Sequence, residues 1–351
     1  MSFIRTFIPR KRGLFIVATL FIAMYAQANP WLARIDNQRY IWQLSIPGTH
    51  DACTGDGFPE PYQTAGDKYA RTQSISLSEQ FHLGVRAFDF RPAVDQQADG
   101  KAYLRIFHGI FPTRLSLAQA FTILRDSLAA NPTEFAIIIM QNEHKGETNA
   151  AWSSLVKELL HSAEFKGLFA DFRPDLTVGE LRGKILLLAR DEYDTVPVGG
   201  FVRSWTFSDD IDLQRKAHIF GPKKDGQLYV QDYYDMSAPG TIAIKCAGIK
   251  RMLATAYKVH TILKKPVWVI NHTSGFAETA MVEGKSFATA DGYRKNAVAT
   301  NQAVLDYIKA NSKRRFSGLV MMDYTGVDVS AGYPVKGLEL TKAIIAQNFK
   351  H

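Results

Sequence analysis

The chain has 351 residues, 46% hydrophobic and 22% charged, with a formal net charge of +8. This is ordinary globular composition with ample material for a large core, and the mild charge does not mark a nucleic-acid binder. Two cysteines, Cys53 and Cys246, are too few for a metal cage or a disulfide scaffold. They can pair with each other in an exported protein or remain free thiols.

Residues 1–28 read as a leader. Arg5, Arg10, Lys11 and Arg12 form a basic segment, and Gly13 to Met24 form an apolar run too short to span a bilayer. Ala26-Gln27-Ala28 is a small-x-small cleavage site, so the predicted mature chain starts at Asn29 and is secreted or periplasmic. Cleavage removes four cations and no acid, leaving a net charge of +4.

A strand is predicted over Tyr40 to Ile46, broken by Pro47-Gly48, which turns the backbone and delivers His50 and Asp51. An imidazole titrates near neutral pH and can move a proton; the ordinary structural alternative is a capping Asp beside a surface His. Further strand-like runs follow at 85–90, 103–107, 135–140, 184–189, 228–230, 266–270 and 318–322. Amphipathic helical patterns occupy 115–130, 149–162, 295–311 and 336–348. No repeat or low-complexity linker divides residues 29–351. Length alone suggests about two domains, but continuous apolar strands alternating with helices predict one irregular (β/α)8 TIM-type barrel. A doubly wound open sheet is the alternative.

Nearly every predicted strand ends in ionisable or amide groups: His50 and Asp51, Asp89 and Arg91, His108, Gln141 and Glu143, Arg190, Asp232, His272, and Asp323. In a barrel these ends converge on one face, where active sites sit. Two histidines supply a base and an acid, and an arginine fork suits phosphate oxygens. Asp51 and Asp323 can each orient an imidazole. These are parts for displacement at a phosphodiester without a metal. A metal-dependent hydrolase would want His-x-His or several carboxylates together, and Arg91 stands where another carboxylate would be useful.

The ordered motifs Ser45 to Asp51, Gly84 to Arg91, Phe107-His108-Gly109, Asn131 to Glu134, Gly183 to Arg190, Val230-Gln231-Asp232 and Met322-Asp323-Tyr324 resemble bacterial phosphatidylinositol-specific phospholipase C, from about residue 32 to the C-terminus. The resemblance implies a barrel lyase that needs no metal or other cofactor. It would cleave phosphatidylinositol to diacylglycerol and inositol 1,2-cyclic phosphate. His50 would be the general base, supported by Asp323; His108 the general acid, partnered by Asp51; Arg91 the phosphate-binding cation, standing where calcium-dependent relatives keep a carboxylate. Arg190, Asp232 and Tyr234 match head-group positions, and Gln141 stands where many members have lysine. The implied partner is a lipid head group at a membrane surface, reached by a peripheral monomer. Phe58 and Tyr62 are the candidate lipid-contacting aromatics. Two alternatives stay open: a phosphodiesterase on another lipid or a glycosylated phosphatidylinositol anchor, motivated by Gln141, and an inactive lipid-binding module.

Overall fold

The computed structural model describes residues 29–144, 149–192 and 194–350; the predicted leader lies outside them. In chain order the strands are β1 (Ser45–Thr49), β2 (Ala87–Phe90), β3 (Pro92–Gln96), β4 (Ala102–His108), β5 (Phe111–Ser116), β6 (Ala136–Met140), β7 (Phe169–Ala170), β8 (Ile185–Ala189), β9 (Gly200–Arg203), β10 (Ala217–Phe220), β11 (Gly226–Gln231), β12 (Trp268–His272), β13 (Thr279–Val282), β14 (Lys285–Ala288) and β15 (Gly318–Met322). Nine of them close a ring, β6-β2-β1-β15-β12-β11-β10-β9-β8 and back to β6, with β7 added outside β8. The ring is parallel except for β10, which is antiparallel to both neighbours. It is therefore an irregular TIM-type barrel with one strand more than eight. The short strands β9 and β10 were not among the expected ones, because their mixed burial breaks the apolar run that marks a barrel strand.

Two strand expectations are corrected. The 103–107 run lies in β4, the centre of a separate antiparallel sheet β3-β4-β5 outside the ring. Its sequence Tyr103-Leu104-Arg105-Ile106 alternates in polarity, as suits a sheet with one wet face. The first strand, expected over Tyr40 to Ile46, starts only at Ser45, because Ile41–Gln43 forms a 3-10 turn, and it runs through Pro47-Gly48 instead of breaking there, pairing Ser45–Thr49 with Gly318–Met322. Gly48 is needed there because a Cβ would sit 2.4 Å from Met321 Sδ and 3.0 Å from Ala87 Cβ. The turn falls instead at Asp51, at a left-handed φ of 44° that aspartate tolerates.

The expected helices form at Leu117–Ala130, Asn149–His161, Ala290–Ala310 and Gly337–Gln347; Thr241–Tyr257 is a further one. Ser116 caps the first, accepting from the Gln119 amide. Strand residues split by parity. Ile46, Ala87, Ile137, Leu186, Leu228, Ile270 and Leu319 fill the barrel interior, while Phe88, Ile138 and Leu187 pack outward against the helices. At the start of β2, Arg86 and Glu134 form an ion pair with both side chains fully buried. The remaining guanidinium donors reach the Phe81, Val85 and Asn29 carbonyls, so the charges are fully hydrogen-bonded.

Candidate active site

The two-residue period that fills the interior also builds the site. One inward step beyond the last apolar layer lie His50 after β1, Asp89 on β2 and Arg91 after it, Gln141 after β6, Arg190 after β8, Asp232 after β11, His272 on β12 and Asp323 after β15. His108 arrives differently, from the end of β4 in the outer sheet.

His50 sits between two carboxylates. Its Nδ1 is 2.8 Å from Asp323 Oδ1, and its Nε2 is 3.0 Å from Asp51 Oδ2. The Gly275 amide donates to the other Asp323 oxygen at 3.1 Å, fixing that carboxylate. Burial lowers the His50 pKa, but Asp51 and Asp323 outweigh it and raise it to about 9. Asp323 itself is pushed up by burial, against the pull of His50.

Asp51 is the hub. The same Oδ2 lies 3.3 Å from His108 Nε2, and Oδ1 lies 3.3 Å from Arg91 Nε. Neither oxygen makes an aligned hydrogen bond, so both keep acceptor capacity. Asp51 thus faces both imidazoles and the guanidinium, a wider set of contacts than the His108 partnership expected of it. His108 Nδ1 is 2.7 Å from the Ala70 carbonyl oxygen, which fixes Nδ1–H as a donor and turns Nε2 towards Asp51. Tyr293 Oη lies 3.2 Å from the same Nε2.

Arg91 Nη2 donates to Asp89 Oδ2 at 3.0 Å, and Nη1 lies 3.9 Å from Glu143. Burial disfavours the cation, but Asp51, Asp89 and Glu143 raise its pKa well above the usual value. Burial would raise Asp89; Arg91 and His50 hold it well below the ordinary carboxylate range. His50, Asp51 and Asp89 bring ligand atoms within 4.8 Å of one another, a spacing that could suit a metal. Arg91 contacts both of these carboxylates with its guanidinium.

His50, Arg91, His108 and Glu143 line a cavity of about 400 Å³ that Gln141, Asp232, Tyr234, Phe207 and Tyr293 complete. Arg190 lies with its guanidinium 4.3 Å from the Trp205 ring centre and 5.3 Å from that of Phe207. Burial and then Arg91 lower it to about 10. Trp205 Nε1 donates to Asp232 Oδ2 at 2.9 Å. A cavity of similar size beside the start of β8 contains Arg173 and Glu180, which pair with each other; no imidazole lines it.

Phe58 is a correction. It is fully buried against Ala70 and Phe111 and offers no surface to lipid. Tyr62 is 43% exposed. Cys53 and Cys246 are unpaired, and burial pushes the Cys53 thiol well up, away from reactivity. Sequence reasoning gave Tyr293, Trp205 and Phe207 no place. Tyr293 lies in the first turn of Ala290–Ala310, ahead of where the helical pattern was expected to begin. His272 was readable from parity, since Trp268 and Ile270 point inward on the same strand.

The chain is similar to proteins of matching design. Over 84% of its length it is 23% identical to the 1-phosphatidylinositol phosphodiesterase of Staphylococcus aureus (strain Newman), covering 88% of that protein. A 167-residue stretch, 46% of the chain, is 29% identical to 48% of the 1-phosphatidylinositol phosphodiesterase of Listeria monocytogenes serovar 1/2a. Among solved structures, a phosphatidylinositol-specific phospholipase C from Staphylococcus aureus matches with a TM-score of 0.69 at 22% identity, covering 91% of this chain and 97% of that one. The Listeria monocytogenes enzyme matches at 0.63 and 22%, covering 92% and 98%. These relatives are the bacterial phospholipases C that the ordered motifs resemble. No family model matches the chain.

Proposed function

We propose that the chain is a secreted or periplasmic phosphatidylinositol diacylglycerol-lyase that works without a metal ion. The observation that carries this is the meeting of His50, His108 and Arg91 around one carboxylate, Asp51, at the edge of a cavity sized for a sugar-like head group. His50, in its neutral form, takes the proton of the inositol 2-hydroxyl, whose oxygen attacks the neighbouring phosphorus. The bond to the diacylglycerol oxygen breaks, and His108 gives that oxygen a proton from Nε2. Arg91 holds the phosphoryl oxygens as charge builds, and Asp323 keeps His50 in place and stabilises its protonated form. Arg190, Asp232, Tyr234 and Gln141 receive the inositol hydroxyls. Opening of the cyclic phosphate by water would use the same two imidazoles with roles reversed.

The leader would be removed, and the barrel from Asn29 onward would act as a peripheral monomer. Among the described residues no helix is long and apolar enough to cross a membrane. Phe207 and Tyr234 at the cavity wall and Ile110 beside the lining Gly109 expose apolar surface, as does Tyr62, and suit an interface.

Vesicles of phosphatidylinositol, followed by phosphorus NMR, test the reading. Inositol 1,2-cyclic phosphate should appear, and its formation should survive a chelator. His50→Ala should lose turnover by roughly 10²–10⁴-fold, the range for one general base, while still binding vesicles. No cyclic phosphate from phosphatidylinositol would sink the reading. Gln141 favours a second one, a phosphodiester with a different head group, because it adds a hydrogen-bonding amide without charge at the cavity wall. Glycosylated phosphatidylinositol and glycerophosphodiesters in the same assay separate the two.

A further inference from the structure

The reaction above leaves a third imidazole unused. His272 ends β12, points into the barrel and is 1% exposed. Its Nδ1 lies 3.0 Å from Ser274 Oγ and 3.5 Å from Asp232 Oδ1. Its ring stands edge-on to both His50 and Trp205, at centroid distances of 6.1 and 5.7 Å. Asp232 is therefore flanked on one side by the Trp205 N–H and on the other by His272.

The protonation state follows from the surroundings. Burial lowers the His272 pKa to about 4; Asp232 and Asp89 pull it upward, while His50 adds to the lowering. The ring is neutral and carries one N–H. Ser274 Oγ hydrogen-bonds Nδ1, the Asp232 carboxylate lies on the same side, and among the described residues Nε2 has no hydrogen-bond partner. A proton on Nε2 would leave a buried donor unsatisfied and set the Nδ1 lone pair against the Asp232 carboxylate. The proton therefore belongs on Nδ1. The backbone behind the ring is fixed as well. Gln231 Nε2 donates to the His272 carbonyl and to Asn271 Oδ1, both at 2.8 Å. The buried Lys245 donates to Gln231 Oε1 at 3.3 Å.

We propose that His272 is a positioning residue for head-group recognition: its Nδ1–H, anchored on Ser274 Oγ, keeps the ring 3.5 Å from Asp232 Oδ1, so that the imidazole and the Trp205 N–H bracket the carboxylate that receives the vicinal hydroxyls of the inositol ring. This rests on the phosphatidylinositol reading above. A carboxylate accepting two hydroxyl donors loses much of its value if it can rotate, so the effect belongs in binding rather than in the chemical step.

The test uses the full-length enzyme and three variants. His272→Phe keeps the ring shape and removes the donor; His272→Asn returns an N–H near the Nδ1 position. Each is assayed for KM and kcat on phosphatidylinositol vesicles, for inhibition by myo-inositol, and for Tm. His272→Phe should raise KM and the inositol inhibition constant by about three- to tenfold, the range for losing one polar anchor, with kcat within about threefold. His272→Asn should recover most of that loss. If His272→Phe does not fold, His272→Gln, which carries its amide near the Nε2 position, should show the same defect. Normal KM and inositol inhibition in a folded variant lacking the donor overturns the assignment alone, as does an Asn variant no better than Phe. Wild-type protein that neither cleaves phosphatidylinositol nor binds inositol overturns the functional reading and this assignment together.

Discussion

His50 shows how little of a residue's chemistry is its own. An isolated imidazole titrates near 6.5; here two carboxylates carry it to about 9 in spite of burial. The resting site therefore holds His50 as a cation, and the neutral form that the proposed reaction needs as its base grows as pH rises. The pH dependence of kcat/KM reports the free enzyme, so its acidic limb should rise towards about pH 9 in the wild type. In Asp323→Asn one of the two stabilising charges is gone. The His50 pKa falls, and the acidic limb should move to lower pH even as the maximal rate drops by roughly 10²-fold or more through loss of orientation. A profile that keeps its position while only its height changes would show that Asp323 positions His50 without setting its charge. At this scale the sequence was informative where a polar residue follows a run of inward apolar positions, as for His50, Arg91, Arg190, Asp232 and Asp323. It was silent on Tyr293, because a tyrosine on a helix carries no mark of which distant loop it meets.

The elements explain why those residues are held where they are. β1 carries His50 one residue past its end, and its path through the barrel interior depends on Gly48 lying against Met321 and Ala87. A side chain there forces the Met321 thioether aside in a close-packed layer. Gly48→Ala should cost about 1–3 kcal/mol in denaturant unfolding, the usual range for overpacking. It should also reduce turnover, because the strand that shifts is the one aiming His50. Pairing it with Met321→Ala should give a double variant less destabilised than the sum of the two, since the second change removes the atom that the first collides with. Strict additivity would mean the contact does not constrain β1. The sequence suggested a break at Pro47-Gly48, because such pairs usually turn a free chain. Only the parallel neighbours β15 and β2 reveal that the strand continues. The same limit hid the outer sheet: the periodicity of β4 marks a strand but not the sheet it joins, so His108 appeared to come from the barrel.

Across the whole molecule, buried histidines at opposite ends of the barrel respond to pH with opposite sign. His260, beside the start of β12, lies tilted against Trp42 at a centroid distance of 5.1 Å and is bonded through Nε2 to the Val267 carbonyl oxygen. Burial lowers it to about 4, against the opposing backbone hydrogen bond. Its folded pKa lies below its unfolded value near 6.5, so between these values the unfolded chain binds the extra proton and stability falls as pH falls. His50 behaves in reverse: its raised pKa contributes stability that is fully present below about 6.5 and is lost as pH rises through about 9. Asp56, pushed up to about 6 by burial, opposes His260 over part of the acidic window, since the folded state then holds its proton more tightly. The total slope of stability against pH is thus a sum of opposed contributions, and the difference between two variants isolates one of them. His260→Gln removes one titration. It should flatten the acid-side slope by up to about 1.4 kcal/mol per pH unit between pH 6.5 and 4, whatever it costs at neutral pH. Turnover at pH 7 should stay near wild type, because His260 is absent from the cavity that holds His50 and His108. Urea unfolding of both proteins at pH 7.0, 6.0 and 5.0 reads the slopes directly, and parallel lines would mean that His260 is no more easily protonated in the unfolded chain than in the barrel.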